Sequence, residues 1–195
     1  MAFLIVGLGT AGTEHLRALE HTPGAEVIGV VDPGPVQSVV FRRRVVRLHE
    51  SLFDARSSGA EPDVIVIATP TGSHASVCGD AAENFAAATM LVEKPAAGNL
   101  SDACNVLEGL GGKQNLRVAY HMAYAPEVEW ALSQARQWSS RLGQPRQIEC
   151  WQADPYQNDL ASAQSRLGTS WLDSAINALS VLERFVTPTA RTSLP

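Results

Sequence analysis

Through residues 1–121 the chain alternates short, β-branched apolar runs with longer segments rich in alanine and leucine. Phe3 to Val6, Glu26 to Val31, Val45 to Leu48, Asp63 to Ala68, Thr89 to Val92 and Arg117 to Tyr120 predict six strands. Between them, residues 11–19, 73–88 and 101–110 predict helices, the last of them ended by Gly111-Gly112. The strand runs are continuously apolar instead of alternating with polar residues, as in a parallel sheet covered on both faces. Past His121 the pattern changes. Pro126 at the head of EVEWALSQARQW predicts a helix start, Pro145 to Trp151 a strand, and Gln157 to Leu167 a polar loop. Trp171 to Phe185 predicts an amphipathic helix, with Leu172, Ala175, Ile176, Leu179 and Leu182 on one side. The last ten residues carry no regular pattern.

The 195 residues are 45% hydrophobic and 18% charged, the balance of globular material. A net charge of -5 argues against a general nucleic-acid binder, and the basic run Arg42-Arg43-Arg44 reads as a solvated patch. Cys78, Cys104 and Cys150 are widely spaced and odd in number, which speaks against a disulfide framework or zinc site and fits a reducing cytoplasm. The apolar start MAFLIVGLG lacks a basic leader and is too short to span a bilayer, so it reads as a buried strand. A cytoplasmic location, with neither membrane nor nucleic acid as partner, is the expectation.

Specific chemistry begins with GLGTAG. Gly7, Gly9 and Gly12 follow the first strand and open the first helix, with Thr10 and Ala11 in the same loop. Glycines there permit a tight turn and close approach of a pyrophosphate to backbone amides at a helix N-terminus. Asp32 closes the second strand 20 residues after Gly12, where a carboxylate accepts hydrogen bonds from ribose hydroxyls and repels a 2′-phosphate. The expected cofactor is therefore NAD, with NADP possible through Arg42 to Arg44. Thr69, Pro70, Thr71 and His74 end the fourth strand and line the expected cofactor cleft, although His74 serves equally as a helix-start residue.

Several segments together resemble the Gfo/Idh/MocA oxidoreductase family: GLGTAGTEHLRAL at 7–19, VIVIATPTGSHA at 64–75, VEKPAA at 92–97, VAYHMAYAPEVE at 118–129 and GTSWLDSAINALSVL at 168–182. AYHMAYAP and DSAINALS are most similar to the branch that holds D-galactose and L-arabinose 1-dehydrogenases. The resemblance implies an α/β fold: a Rossmann-type, doubly wound parallel sheet over 1–121, then a substrate and dimerisation domain of α+β type from 122 to 195. It also implies hydride transfer between a nicotinamide and a sugar or polyol, with substrate bound between the domains. Glu93 and Lys94 of the EKP motif would sit at the cofactor, and Lys94 would also reach the reacting hydroxyl. Asp173 and Asn177 would face the substrate one helical turn apart, with His121 as a further substrate contact.

The residues themselves are compatible with these roles. Lys94 lies just past the carboxyl end of a predicted parallel strand, where open α/β sheets place ligands, and Pro95 restricts its backbone. Asp173 is a candidate base, and Asn177 hydrogen-bonds without titrating. The plainer alternatives are a surface lysine, a loop histidine, and a solvated polar stripe of Asp173, Asn177, Ser180 and Arg184. WQADPYQNDL departs from the sugar-dehydrogenase pattern, with Ala153 near the expected acid, although Trp151 and Asp154 keep it. The family's second domain needs more strands than these residues supply, so the sequence reads as truncated. That leaves a homo-oligomer possible but without its usual interface sheet. Beside the oxidoreductase reading stand a non-catalytic dinucleotide-binding or regulatory protein and an inactive fragment. No metal site is expected.

Overall fold

The computed structural model describes residues 1–34, 38–109, 116–143, 146–151 and 174–186. The chain divides into two compact units, Met1–Ala119 and Tyr120–Pro195. In the first, the elements run β1 (Ala2–Val6), α1 (Thr10–Glu20), β2 (Glu26–Val31), β3 (Val39–Phe41), β4 (Arg44–Val46), β5 (Leu48–His49), α2 (Leu52–Ser57), β6 (Val64–Ile67), α3 (His74–Asn84), β7 (Thr89–Val92), α4 (Leu100–Gly109) and β8 (Leu116–Val118). Among the described residues, six of these strands form one sheet in the order β5-β2-β1-β6-β7-β8, every pairing parallel. The chain leaves β1 toward β2 on one side and later steps to β6 on the other. The switch point, where such sheets bind ligands, therefore lies between the carboxyl ends of β1 and β6.

The continuous apolar runs are explained by the two faces of this sheet. Successive strand residues point to opposite sides. Leu4, Val6, Ile65, Ile67, Met90 and Val92 therefore enter one core with Cys78 and Ala81 from α3, Phe85 just beyond it, and Val106 from α4. Ile5, Val30 and Val66 enter the other, joined by Val27 because a bulge at Ile28 shifts the alternation of β2, with Leu19 from α1 and with Phe41 and Val46.

The third strand corrects the expectation from sequence. Arg44–Val46 does not join the sheet but pairs antiparallel with Val39–Phe41 as a hairpin, and two-residue β5 takes the place beside β2. The hairpin turn needs positive φ at Arg42 and Arg43, which lack the freedom of glycine. Arg42 offsets that cost by donating to the carbonyls of Leu19, Glu20, Thr22 and Ala25. Leu19 and Glu20 end α1, whose last carbonyls have no partner within the helix, and Thr22 and Ala25 lie in the loop that follows. The arginine run is thus not merely a solvated patch. The α3 helix ends at Asn84, short of the predicted Ala88, because Phe85 leaves helical geometry and buries its ring.

In the second unit, a 3-10 turn (His121–Tyr124) precedes α5 (Pro126–Leu142) and α6 (Ile176–Glu183). Pro126 sits in the first turn of α5, where its missing N–H costs nothing, and Gly143 ends the helix with φ +80. The strand predicted for 145–151 does not form: residues 146–151 are irregular, and no strand occurs among the described residues of this unit. A second correction concerns α6. Its polar positions Asn177 and Ser180 are buried, while Leu179 is 46% exposed, so the polar stripe is not a solvated face. The helix contacts the 121–124 turn. Arg184 donates to Ala123 O at 2.6 Å and to Glu129 Oε1 at 2.7 Å, and lies over the Tyr124 ring.

Burial pushes the Cys78 thiol from its ordinary 9.0 up to about 11. The unfolded thiol ionises first, so this stabilising contribution is complete below pH 9.0 and is lost as pH rises toward about 11. Cys78→Ser is expected to lessen the fall in unfolding free energy over that interval, measured by urea denaturation. In the native protein Cys78 is expected to resist iodoacetamide while the exposed Cys104 reacts.

Candidate active site

At the carboxyl end of β1 the chain turns at Gly7 with φ +89. A Cβ at Gly7 would stand 2.8 Å from the Ala68 carbonyl oxygen, so side chains are excluded both by conformation and by the neighbouring end of β6. At Gly12 a Cβ would lie 2.0 Å from the Gly7 carbonyl oxygen, and this closeness lets α1 start directly against the turn. Gly9 has nothing within 4 Å of the Cβ position and faces open space. The three glycines therefore divide the work into a turn, an open approach and a close packing.

Asp32 holds the loop. Its Oδ2 accepts the Leu8 N–H at 2.7 Å and its Oδ1 accepts the Gly34 N–H at 2.7 Å. The backbone adds Gly7 N–H to Val31 O at 2.8 Å and Asp32 N–H to His49 O at 3.1 Å. Each carboxylate oxygen keeps a further lone pair for a ribose hydroxyl. A cleft of about 660 Å³ opens here, walled by Leu8, Asp32, Ser51, Leu52, Thr69, Pro70 and Val77 among others. Ser51, not singled out from the sequence, accepts the Asp54 N–H at 3.0 Å and caps α2. Its spacing Ser51-x-x-Asp54 is a readable helix-start signal.

The residues fit a dinucleotide. The first turn of α1 has no side-chain cap and no acidic residue, so its amides and the helix dipole favour an anion beside open Gly9, with Thr10 and Ala11 in that turn. Thr69 Oγ1, in the cleft wall, is a buried hydroxyl with no hydrogen-bond partner among the described residues. Such a group costs about 1–3 kcal/mol, which a polar ligand atom recovers. Arg42 sits at the amino end of β2, at the opposite end of that strand from Asp32, with its guanidinium donating to carbonyls at the end of α1 and in the loop that follows it. It does not reach a 2′-phosphate at Asp32.

The EKP segment begins where β7 ends. Glu93 N–H donates to Ile67 O at 2.9 Å, which continues the sheet by one residue, and the Lys94–Pro95 peptide is cis. Two histidines grip this segment. His15 of α1 donates from Nε2 to Glu93 Oε1 at 2.8 Å, while Glu93 Oε2 accepts the backbone N–H of Lys94 at 3.1 Å. His74, 1% exposed, places Nδ1 at 3.0 Å from Pro95 O and Nε2 at 2.8 Å from Thr69 O. His74 thus spans the ends of β6 and β7 beneath the surface, and Thr71 starts the short turn leading into its helix. His15 was not anticipated from sequence, because nothing local links it to a residue 78 positions away.

In the second unit His121 is exposed on the 3-10 turn and Asn177 is buried on α6, and these two elements are in contact. Tyr120, at the start of this unit, has its phenol pushed up by burial and by the Glu183 carboxylate. Asp173, and with it Ala153 and Asp154, lies outside the described residues. Among those described, no group of histidine, cysteine or acidic side chains gathers to hold a metal, and no helix is long and apolar enough to cross a membrane.

The family model described as "Oxidoreductase family, NAD-binding Rossmann fold" (GFO_IDH_MocA) matches residues 1–121. Among solved structures, scyllo-inositol dehydrogenase from Lactobacillus casei with bound NAD(H) and scyllo-inositol superposes with a TM-score of 0.73 at 18% identity, covering 95% of this chain and 56% of that one. A structure described as a "putative myo-inositol dehydrogenase from Sinorhizobium meliloti 1021" gives 0.72 at 21% identity, covering 95% and 55%. The WlbA dehydrogenase from Chromobacterium violaceum, in complex with NADH and UDP-GlcNAcA, gives 0.70 at 25% identity, covering 96% and 56%. The chain thus spans little more than half the length of the solved structures it matches. A search of curated protein sequences returns no match.

Asp32→Asn replaces one acceptor oxygen by an amide that cannot take the second N–H. The expected result is a loss of about 1–3 kcal/mol in stability, as for a hydrogen bond to a charged group, together with weaker NADH binding. Urea denaturation and fluorescence titration read the two effects.

Proposed function

The chain belongs to the Gfo/Idh/MocA family of NAD-binding oxidoreductases, and on that premise we propose that it transfers hydride between NAD and a sugar or polyol. The observation that carries the reading is a juxtaposition on one sheet edge. The glycine loop held by Asp32 and the lysine held by Glu93 stand at the carboxyl ends of strands β1 and β7, separated only by β6. NAD is preferred to NADP because Asp32 repels a 2′-phosphate and Arg42 is committed at the opposite end of β2.

When bound, the dinucleotide supplies the hydride acceptor. The chain's own residues then have the remaining tasks of alcohol oxidation. Lys94 hydrogen-bonds the reacting oxygen and so stabilises the charge that develops there. Asp173 takes the hydroxyl proton as base, and Asn177 and His121 orient the sugar. Glu93 and His74 act on this chemistry through the backbone they hold. The polyol and nucleotide-sugar ligands of the structural neighbours support a polyhydroxylated substrate. The motifs AYHMAYAP and DSAINALS narrow this to an aldose oxidised at C1, as in D-galactose and L-arabinose 1-dehydrogenases.

NADH fluorescence titration and NAD reduction against a panel of aldoses and inositols test the proposal. Cofactor binding with turnover of an aldose is expected. Binding with no turnover of any panel member would leave a dinucleotide-binding protein and overturn the enzymatic reading. Lys94→Ala is expected to lower turnover by about 10²-fold or more, with NADH affinity nearly unchanged. Retained turnover would remove Lys94 from the reaction.

A further inference from the structure

We propose that His15 is a positioning residue for Lys94, acting through the Glu93 carboxylate. This inference rests on the reading of Lys94 as the group that meets the reacting oxygen. The geometry consists of two consecutive hydrogen bonds. His15 Nε2 lies 2.8 Å from Glu93 Oε1, and Lys94 N lies 3.1 Å from Glu93 Oε2. An ionised carboxylate only accepts, so the His15 tautomer with hydrogen on Nε2 is the one that completes the chain. Both oxygens of Glu93 are then directed, one toward a helix and one toward the backbone of the lysine.

The placement of His15 makes this more than a surface ion pair. It stands on α1, one turn beyond Gly12 and on the same helix face. At Gly12 the helix is pressed against the carbonyl of Gly7, so the His15 backbone is rigidly referred to the glycine loop. From there the imidazole reaches past β6, which α1 also contacts, to the end of β7. Side-chain exposures of 21% for His15 and 17% for Glu93 put the pair in a partly shielded setting. On the far flank, His74 Nδ1 lies 3.0 Å from the Pro95 carbonyl oxygen. Lys94 is thus gripped on both sides, from α3 through Pro95 and from the dinucleotide-loop helix through Glu93. The His15 link makes the lysine's position depend on the same helix that opens the dinucleotide loop.

The chain contains only two lysines, Lys94 and Lys113, so lysine reactivity is a clean reporter without any substrate. The full chain is treated with limiting acetic anhydride, and the acetylation rate of Lys94 relative to Lys113 is followed by peptide mass spectrometry. In His15→Ala the released segment is expected to raise the Lys94 rate ratio at least about threefold, the scale of losing one modest hydrogen bond. Glu93→Gln is expected to do the same. His15→Gln, whose amide nitrogen approximates the position of Nε2, is expected to return the ratio toward that of the parent chain.

Circular dichroism establishes that each variant is folded. Should His15→Ala fail to fold, Glu93→Gln removes the acceptor charge without opening a cavity and carries the test. Unchanged ratios in folded His15→Ala and Glu93→Gln overturn the inference, and so does an increase that His15→Gln does not reverse. Retained turnover in Lys94→Ala would instead defeat the reading of the lysine itself, whatever the ratios show, so the two failures are separable.

Discussion

The carboxyl end of the first strand leaves no room for a side chain, and the first unit is organised around that constraint. Gly7 must take a positive φ within reach of the Ala68 carbonyl, and Gly12 must let α1 begin against the Gly7 carbonyl. A methyl group at either place would push the helix off the sheet or break the turn. With both glycines in place, the amino end of α1 is brought to the switch point between β1 and β6. Asp32 then fixes the loop by accepting N–H groups from both sides. The cleft, the helix dipole and the carboxylate come together because two backbone segments can touch.

The same closeness propagates outward. Because α1 is seated so firmly, His15 is a fixed point from which Glu93, and through it Lys94, is held. Because β6 and β7 are neighbours in parallel register, the His74 ring lies between the carbonyl oxygens that follow both strands, and its tautomer sets which of the two receives the N–H. Histidines suit these places: each carries two ring nitrogens on a short, stiff side chain and so fixes direction with little rotamer entropy. The second unit uses a different device. Its helix α6 turns Asn177 and Ser180 inward and ties its end to the turn through Arg184, so polar groups organise its interior.

Much of the first unit is legible in the residues themselves. Continuous apolar runs separated by helical segments specify a doubly covered parallel sheet. The spacing of Gly7, Gly9, Gly12 and Asp32 specifies where its ligand lies, since each of these signals is local and its physics acts within a turn or a strand. The misreadings have a common origin. Arg44 to Val46 is β-prone by composition, yet it pairs with Val39–Phe41 and not with β2, across a turn whose Arg42 bonds the end of α1 some twenty residues away. The stripe of Asn177, Ser180 and Arg184 has the periodicity of a solvated face, and only its neighbours decide that Asn177 and Ser180 are buried.

The division between sequence and tertiary structure follows range. By itself the sequence determined the strand and helix alternation of the first unit, the glycine turn, the carboxylate that closes β2 and a lysine at the end of β7. Each needs only steric and hydrogen-bonding preferences expressed within a few residues. Tertiary structure alone decided that His15 meets Glu93, that His74 joins Thr69 to Pro95, and that Arg42 closes α1 instead of waiting for a phosphate. These contacts depend on strand order and register, which bring distant residues within 3 Å or so of one another, and no local preference encodes which partner will be there.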